Sequence, residues 1–269
     1  MTALNPEIQA AIEERLRYYR DLGVYNFYRR CEPDSQLEAA TPTLTESEPE
    51  PAISPRKTSS TVAGISSDLP ILSLDQRVAA LAAIRADIGE CTRCPLAFTG
   101  RHTIVFADGD PNARLMFVGE GPGADEDAQG LPFVGRAGQL LNNMVNAMGL
   151  KREQVYIANV VKCRPPQNRT PEPEEANTCM QFLWRQIDIV RPELIVALGA
   201  TAATYLLGGK TSLASLRGRI HSVRDAKLIV TYHPAYLLRD PRQKAEAWKD
   251  LQIAMKQLGL KAPKRSTEE

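Results

Sequence analysis

The sequence has no run of about 18 uninterrupted apolar residues, the length a membrane-spanning helix requires, so a membrane protein of that type is not expected. Its first thirty residues carry charges of both signs, Glu13, Glu14, Arg15 and Arg17 among them. That is unlike a secretory leader, and the expectation is a cytoplasmic, monomeric protein. Cysteine is scarce, with five in 269 residues, and a cytoplasmic chain does not keep structural disulfides. There is a single C-x-x-C, Cys91 to Cys94, so the paired pattern of a zinc ribbon is missing. The glycine-rich stretch GEGPG, 119–123, lacks the G-x-G-x-x-G register and no P-loop lysine follows it, which argues against a dinucleotide or nucleoside triphosphate site. No internal repeat is apparent.

Net charge is also small, +1, but it is unevenly spread. Residues 1–74 hold seven Lys/Arg against eleven Asp/Glu, and residues 75–269 hold 26 against 21. A net +5 on the larger part is compatible with nucleic acid without establishing it. The division follows composition. Residues 1–32 form an appendage with helical spacing of Ile8, Ile12, Leu16 and Tyr19, Asn5 as cap and Pro6 in the first turn. Residues 33–74 are rich in Pro, Ser, Thr and Glu and poor in large apolar residues, a composition that does not repay its ordering entropy and predicts a disordered linker. The catalytic-size domain is expected over 75–262, with a disordered tail over 263–269.

Within that domain short apolar runs alternate with helical patterns. The runs are Leu115–Val118, Val155–Val161, Leu194–Leu198 and Leu228–Thr231; the helices are expected at 75–88, 136–149, 172–190, 200–207 and 240–258. Alternation of this kind predicts a parallel sheet with helices on both faces. In such sheets ligands bind beyond the carboxyl ends of the strands. The first run ends at GEGPG, the second contains Asn159 near its end and the fourth runs into His233. Glu120, Asn159 and His233 are therefore expected at one sheet edge.

Two features need explaining. Glu120, Asp125, Glu126 and Asp127 put four carboxylates in or beside the glycine-rich turn, where a phosphate cradle would want cations. Cys91, Cys94, Cys163 and Cys179 form a quartet, with Cys31 alone in the appendage. By spacing, the quartet fits an iron–sulfur cluster, a zinc ion, a redox dithiol or buried free thiols.

GEGPGADED, the LPFVG that follows, YIANVVKCRPPQNRTP and YHPAYLLR together resemble the family 4 uracil-DNA glycosylases, iron–sulfur enzymes of base-excision repair. The resemblance spans about Cys91 to the final helix and leaves the first 75 residues uncovered. It implies an α/β class, a three-layer α/β/α fold around a four-stranded parallel sheet. It implies a 4Fe–4S cluster on Cys91, Cys94, Cys163 and Cys179 with a structural part, and uracil-containing DNA as partner. Carried over by position, Gly121, Glu126, Phe133, Asn159 and His233 form the uracil pocket, and Glu120, Asn159 and His233 carry the chemistry.

On this reading Phe133 stacks on a flipped-out uracil, Asn159 reads its edge, and His233 stabilises charge on the departing base. Glu120 positions water and faces a cation-like sugar, and Glu126 shapes the pocket near uracil C5. Asp125 and Asp127 are expected to be solvated or capping. Another family's water-activating Asp falls at the place of Gly121, so a strong general base is not expected. Tyr236, Leu237, Leu238 and Arg239 are expected as a wedge with a phosphate contact, and Arg164, Arg169, Lys162 and Arg136 as backbone contacts. RGRIH, 217–221, is left without this chemistry. The competing expectations are an iron–sulfur redox or nucleotide-binding protein, and an inactive nucleic-acid adaptor linked to replication through a partner of residues 1–30.

Overall fold

The computed structural model describes residues 72–261. The expectations for the 1–32 appendage, for its partner, for most of the linker and for the tail lie outside the described residues.

Six strands form one sheet: β1 Asp108–Gly109, β2 Leu115–Gly119, β3 Tyr156–Asn159, β4 Leu194–Leu198, β5 Ile220–Val223 and β6 Ala226–Thr231. Their order is β1-β3-β2-β4-β6-β5. The central four are parallel, as the alternating pattern predicts, and β1 and β5 add an antiparallel strand at each edge. The four-stranded expectation thus becomes a six-stranded sheet. Two residues of β1 leave no periodic signal, and β5, which begins within RGRIH, is only partly buried and returns to β6 through a tight turn with Arg224 at φ 49°.

The helices are α1 Leu74–Ile88, α2 Ala124–Gln129, α3 Arg136–Ala147, α4 Pro173–Val190, α5 Ala200–Leu207, α6 Leu213–Leu216, α7 Pro234–Arg239 and α8 Lys244–Leu258. Side chains alternate across a strand, and β2 shows it: Met116 and Val118 join the apolar layer under α1, α4 and α5, while Leu115 and Phe117 join the layer under α3, α7 and α8. Each fully buried Leu, Ile or Phe contributes about 1.5–3 kcal/mol relative to exposure, so the central strands anchor both layers. The first helix starts at a capping box, with Ser73 Oγ accepting from Gln76 N and Gln76 Oε1 from Ser73 N.

The connections place the site. From β2 the chain moves to β3 on one side, then crosses to β4 on the other side of β2. The order therefore reverses at β2, and the crevice that such a reversal opens lies at the carboxyl end of that strand.

Candidate active site

Four strand ends meet at that crevice around a cavity of about 560 Å³. The segment after β2 supplies Glu120, Gly121, Glu126 and Phe133, and β3 supplies Asn159. The segment after β6 supplies His233, Ala235, Tyr236 and Arg239. The end of β4 and start of α5 add Leu198, Gly199 and Thr201, a contribution the sequence reading did not anticipate.

Phe133 is buried and sits at φ 53°, a conformation that costs a bulky residue about 1–3 kcal/mol and persists only where its surroundings over-determine it. Here they do. Arg152 donates to Pro132 O at 2.6 Å and Phe133 O at 3.1 Å, and also to Asn142 Oδ1 and Asp108 Oδ2. On the other flank the Glu126 carboxylate accepts from Gly123 N, Val134 N and Gly135 N at 3.0–3.1 Å. Both of its oxygens are thus held by backbone, which ties the first turn of α2 to the Phe133 loop. The Phe133 and His233 rings lie 5.6 Å apart between centroids and tilted by 33°.

Asn159 is 2% exposed, and its side-chain Oδ1 has no hydrogen-bond partner among the described residues. A buried acceptor left unpaired is costly, and Asn159 is one of the residues that line the cavity. His233 Nδ1 accepts from Ala235 N at 3.1 Å. Burial, helped by the charge of Arg239 and opposed by Glu126, pushes its imidazole down to about 4. The ring is then neutral at physiological pH, and its proton is on Nε2. Glu120 is half-buried, and its Oε2 accepts from the Thr201 hydroxyl.

Asp127 departs from the expectation of a solvated or capping carboxylate. It is fully buried and accepts from His102 N, Thr103 N and His102 Nδ1 at 2.7–3.1 Å. Burial pushes its carboxyl up, but His102 and the two backbone N–H groups more than offset this and hold it below the usual carboxylate range.

The expected DNA contacts separate into three groups. Arg239 and Arg136 are exposed and Tyr236 and Leu238 half-buried, all accessible. Arg164 donates to Asn168 Oδ1, and Arg169, though it lines the cavity, is committed to Glu175 through both terminal nitrogens at 2.7 and 2.9 Å. Leu237 and Lys162 do not reach the surface. Leu237 is 1% exposed and packs in the layer under α3, α7 and α8, so it cannot enter a base stack as placed. Lys162 is 1% exposed, with Nζ donating to Asn159 O and Gln186 Oε1. Burial pushes its ammonium down to about 8, against the influence of Cys179.

Cys91, Cys94, Cys163 and Cys179 line one recess together with Ile88, Ile104 and Phe182. Donors approach three of the sulfurs: Arg101 to Cys163 at 3.1 Å, Lys162 N to Cys179 at 3.3 Å and Arg93 to Cys91 at 3.5 Å. Burial pushes the Cys179 thiol up to about 12 and raises Cys94 and Cys163 as well. Among the described residues no group of three or more His, Cys, Asp or Glu is arranged to hold a single metal ion.

His233, the buried amide of Asn159 and the ring of Phe133 are thus gathered at one sheet-edge crevice of an α/β protein. Comparison with known proteins narrows the class. The model of the uracil DNA glycosylase superfamily matches residues 106–252, more than half of the chain, and the chain belongs to that superfamily. Its similarity extends to proteins named type-4 uracil-DNA glycosylase. That of Thermotoga maritima is 51% identical over 155 residues, 57% of this chain and 80% of the relative. That of Archaeoglobus fulgidus is 40% identical over 185 residues, 66% and 92% respectively. That of Pyrobaculum aerophilum is 44% identical over 172 residues, 61% and 87%.

Proposed function

We propose that the chain is a uracil-DNA glycosylase that hydrolyses the N-glycosidic bond of deoxyuridine in DNA, releasing uracil and leaving an abasic site. The observation that carries this is the pairing of Asn159 with His233 in one cavity: an unsatisfied buried amide acceptor and an imidazole whose proton is held on Nε2 by the Ala235 N–H.

A base inside the duplex stack is out of reach, so the nucleotide must swing out, at a cost of a few kcal/mol. Phe133 offers its ring to the base, a contact worth about 1–3 kcal/mol by analogy with single-strand binders. Asn159 Oδ1 accepts from uracil N3–H and its amide donates to O4. Cytosine inverts both contacts, and unpaired buried polar groups reject it. The C1′–N1 bond then breaks with its electron pair leaving on the base. Nε2–H of His233 donates to O2 as the charge develops, and the Glu120 carboxylate, braced by Thr201, faces the cation-like sugar and holds the water. Water adds to C1′ and its proton ends on the released uracil. Glu126 supports the loop that carries Phe133 and bounds the pocket beside it. Arg169 and Arg239 line the cavity, and Arg164 is hydrogen-bonded to Asn168, which also lines it; phosphates of the bound strand would lie along these groups.

The four cysteines suit a 4Fe–4S cluster. They line a common recess, and Arg101, the backbone N–H of Lys162 and Arg93 donate to three of the sulfurs, as hydrogen-bond donors around cluster thiolates do. The cluster would supply a cross-link between the segment after α1, the segment after β3 and α4, and no step of base release passes through it. Iron analysis and absorbance near ~400 nm, where thiolate-to-iron charge transfer falls, test this.

The activity is tested with a uracil-containing oligonucleotide incubated with the protein and then with alkali. Strand cleavage at uracil, lost in Asn159→Ala and reduced about tenfold or more in Glu120→Ala, is expected. Intact DNA with a folded, metal-loaded protein would favour the adaptor instead.

A further inference from the structure

Lys162 is buried, and its Nζ donates to two neutral oxygens, Asn159 O at 2.8 Å and Gln186 Oε1 at 2.6 Å. Among the described residues no carboxylate accepts from it. An ammonium buried against neutral acceptors alone is costly, so a counter-charge is called for. The position of Lys162 identifies one. It lies in the wall of the recess formed by the four cysteines, it precedes Cys163 in the chain, and its backbone N–H donates to Cys179 Sγ at 3.3 Å. With a cluster of iron and sulfide bound, the four cysteines are thiolates and the assembly retains net negative charge. The opposite end of the arrangement is equally constrained. Gln186, which receives the ammonium, is itself held by donating to Phe106 O and Tyr156 Oη at 3.2 Å. Asn159 O, the other acceptor, belongs to the residue whose side chain lines the pocket.

We propose that Lys162 is a positioning residue that couples the cysteine recess to the base-reading pocket: its ammonium answers the charge of the thiolates and holds the backbone of Asn159 in place. The inference rests on the cluster reading above for the source of the negative charge. It gives the cluster a consequence at the pocket that needs no redox change, because losing the thiolate charge removes the reason for Lys162 to stay where it is.

The test compares full-length wild type with Lys162→Met, which removes charge and donor, and Lys162→Gln, which retains a neutral donor. Three quantities are read: iron loss to a chelator, affinity for free uracil, and single-turnover excision at saturating DNA. Outer-shell changes typically cost 10–100-fold in metal affinity or activity, and both variants are expected to lose iron faster by about that factor. Uracil affinity is expected to fall further in Lys162→Met than in Lys162→Gln, and by a larger factor than the rate at saturating DNA. Folded variants that retain both iron and uracil like wild type would overturn the proposal. Should neither variant fold, wild type decides. Iron is stripped while circular dichroism stays native, and uracil affinity should fall in step with iron lost. Unchanged affinity in fully stripped, folded protein overturns the coupling alone, whereas wild type purified without iron overturns the cluster reading beneath it.

Discussion

Gly119 and Asn159 are partners in the parallel register of β2 and β3, and a Cβ on Gly119 would fall 2.4 Å from Asn159 Oδ1 and 2.6 Å from Cζ of Phe133. The missing side chain is therefore what lets the Asn159 amide and the Phe133 ring approach each other. Gly119→Ala must displace one of them, and overpacking of this kind costs about 1–3 kcal/mol. Uracil affinity is expected to fall about tenfold or more while melting changes modestly; binding of free uracil with a thermal melt checks this.

His233 predicts a pH dependence. Its folded value is about 4 against about 6.5 unfolded, so between those values unfolding takes up a proton. Stability is fully present above about 6.5 and declines as pH falls towards 4. Denaturant melts across this window should show the slope, and His233→Gln should lack that part of it. Excision by wild type should show no inflection near 6.5, and His233→Ala should lose about two to three orders of magnitude in rate, the usual cost of one preorganised donor.

Thr201 touches the Glu120 carboxylate and nothing else in the proposed chemistry. Thr201→Val keeps the shape and removes the hydroxyl, so single-turnover excision should fall about tenfold, on the order of one hydrogen bond to a charged group. Thr201→Ser should restore most of it. Equal activity in wild type and Thr201→Val would mean that Glu120 needs no bracing.

Asp127 satisfies two backbone N–H groups of the 102–103 strap. Asp127→Ala strands them, and a loss of about 1–3 kcal/mol per unsatisfied buried group is expected, measurable by urea melts. Because the Asp127 carboxyl is held below its usual range, its contribution is present above about 3.9 and disappears as pH falls through the folded value. The variant should therefore lose less stability than wild type at the acid end.

Several side chains mark where pattern stops being informative. Leu237 and Leu238 are adjacent and chemically identical, yet Leu237 packs inward while its neighbour is half-buried. Six residues of α7 are too few for periodicity to choose between them. Lys162 and Asp127 look like solvated charges by composition, and each is buried because distant segments supply its partners, Gln186 for one and the 102–103 strap for the other. Thr201 carries no motif at all; only the neighbouring ends of β2 and β4 bring it to Glu120.

By itself the sequence determined the class of fold and the place to look. Alternating apolar runs and helical stretches require a parallel sheet between helical layers, and motif residues at run ends belong beyond its carboxyl edge, since both follow from local backbone periodicity. Only the tertiary structure decided the antiparallel edge strands, which charges are buried, the tautomer of His233 and the unpaired oxygen of Asn159. These depend on contacts between residues far apart in the chain, and such contacts leave no periodic trace in it.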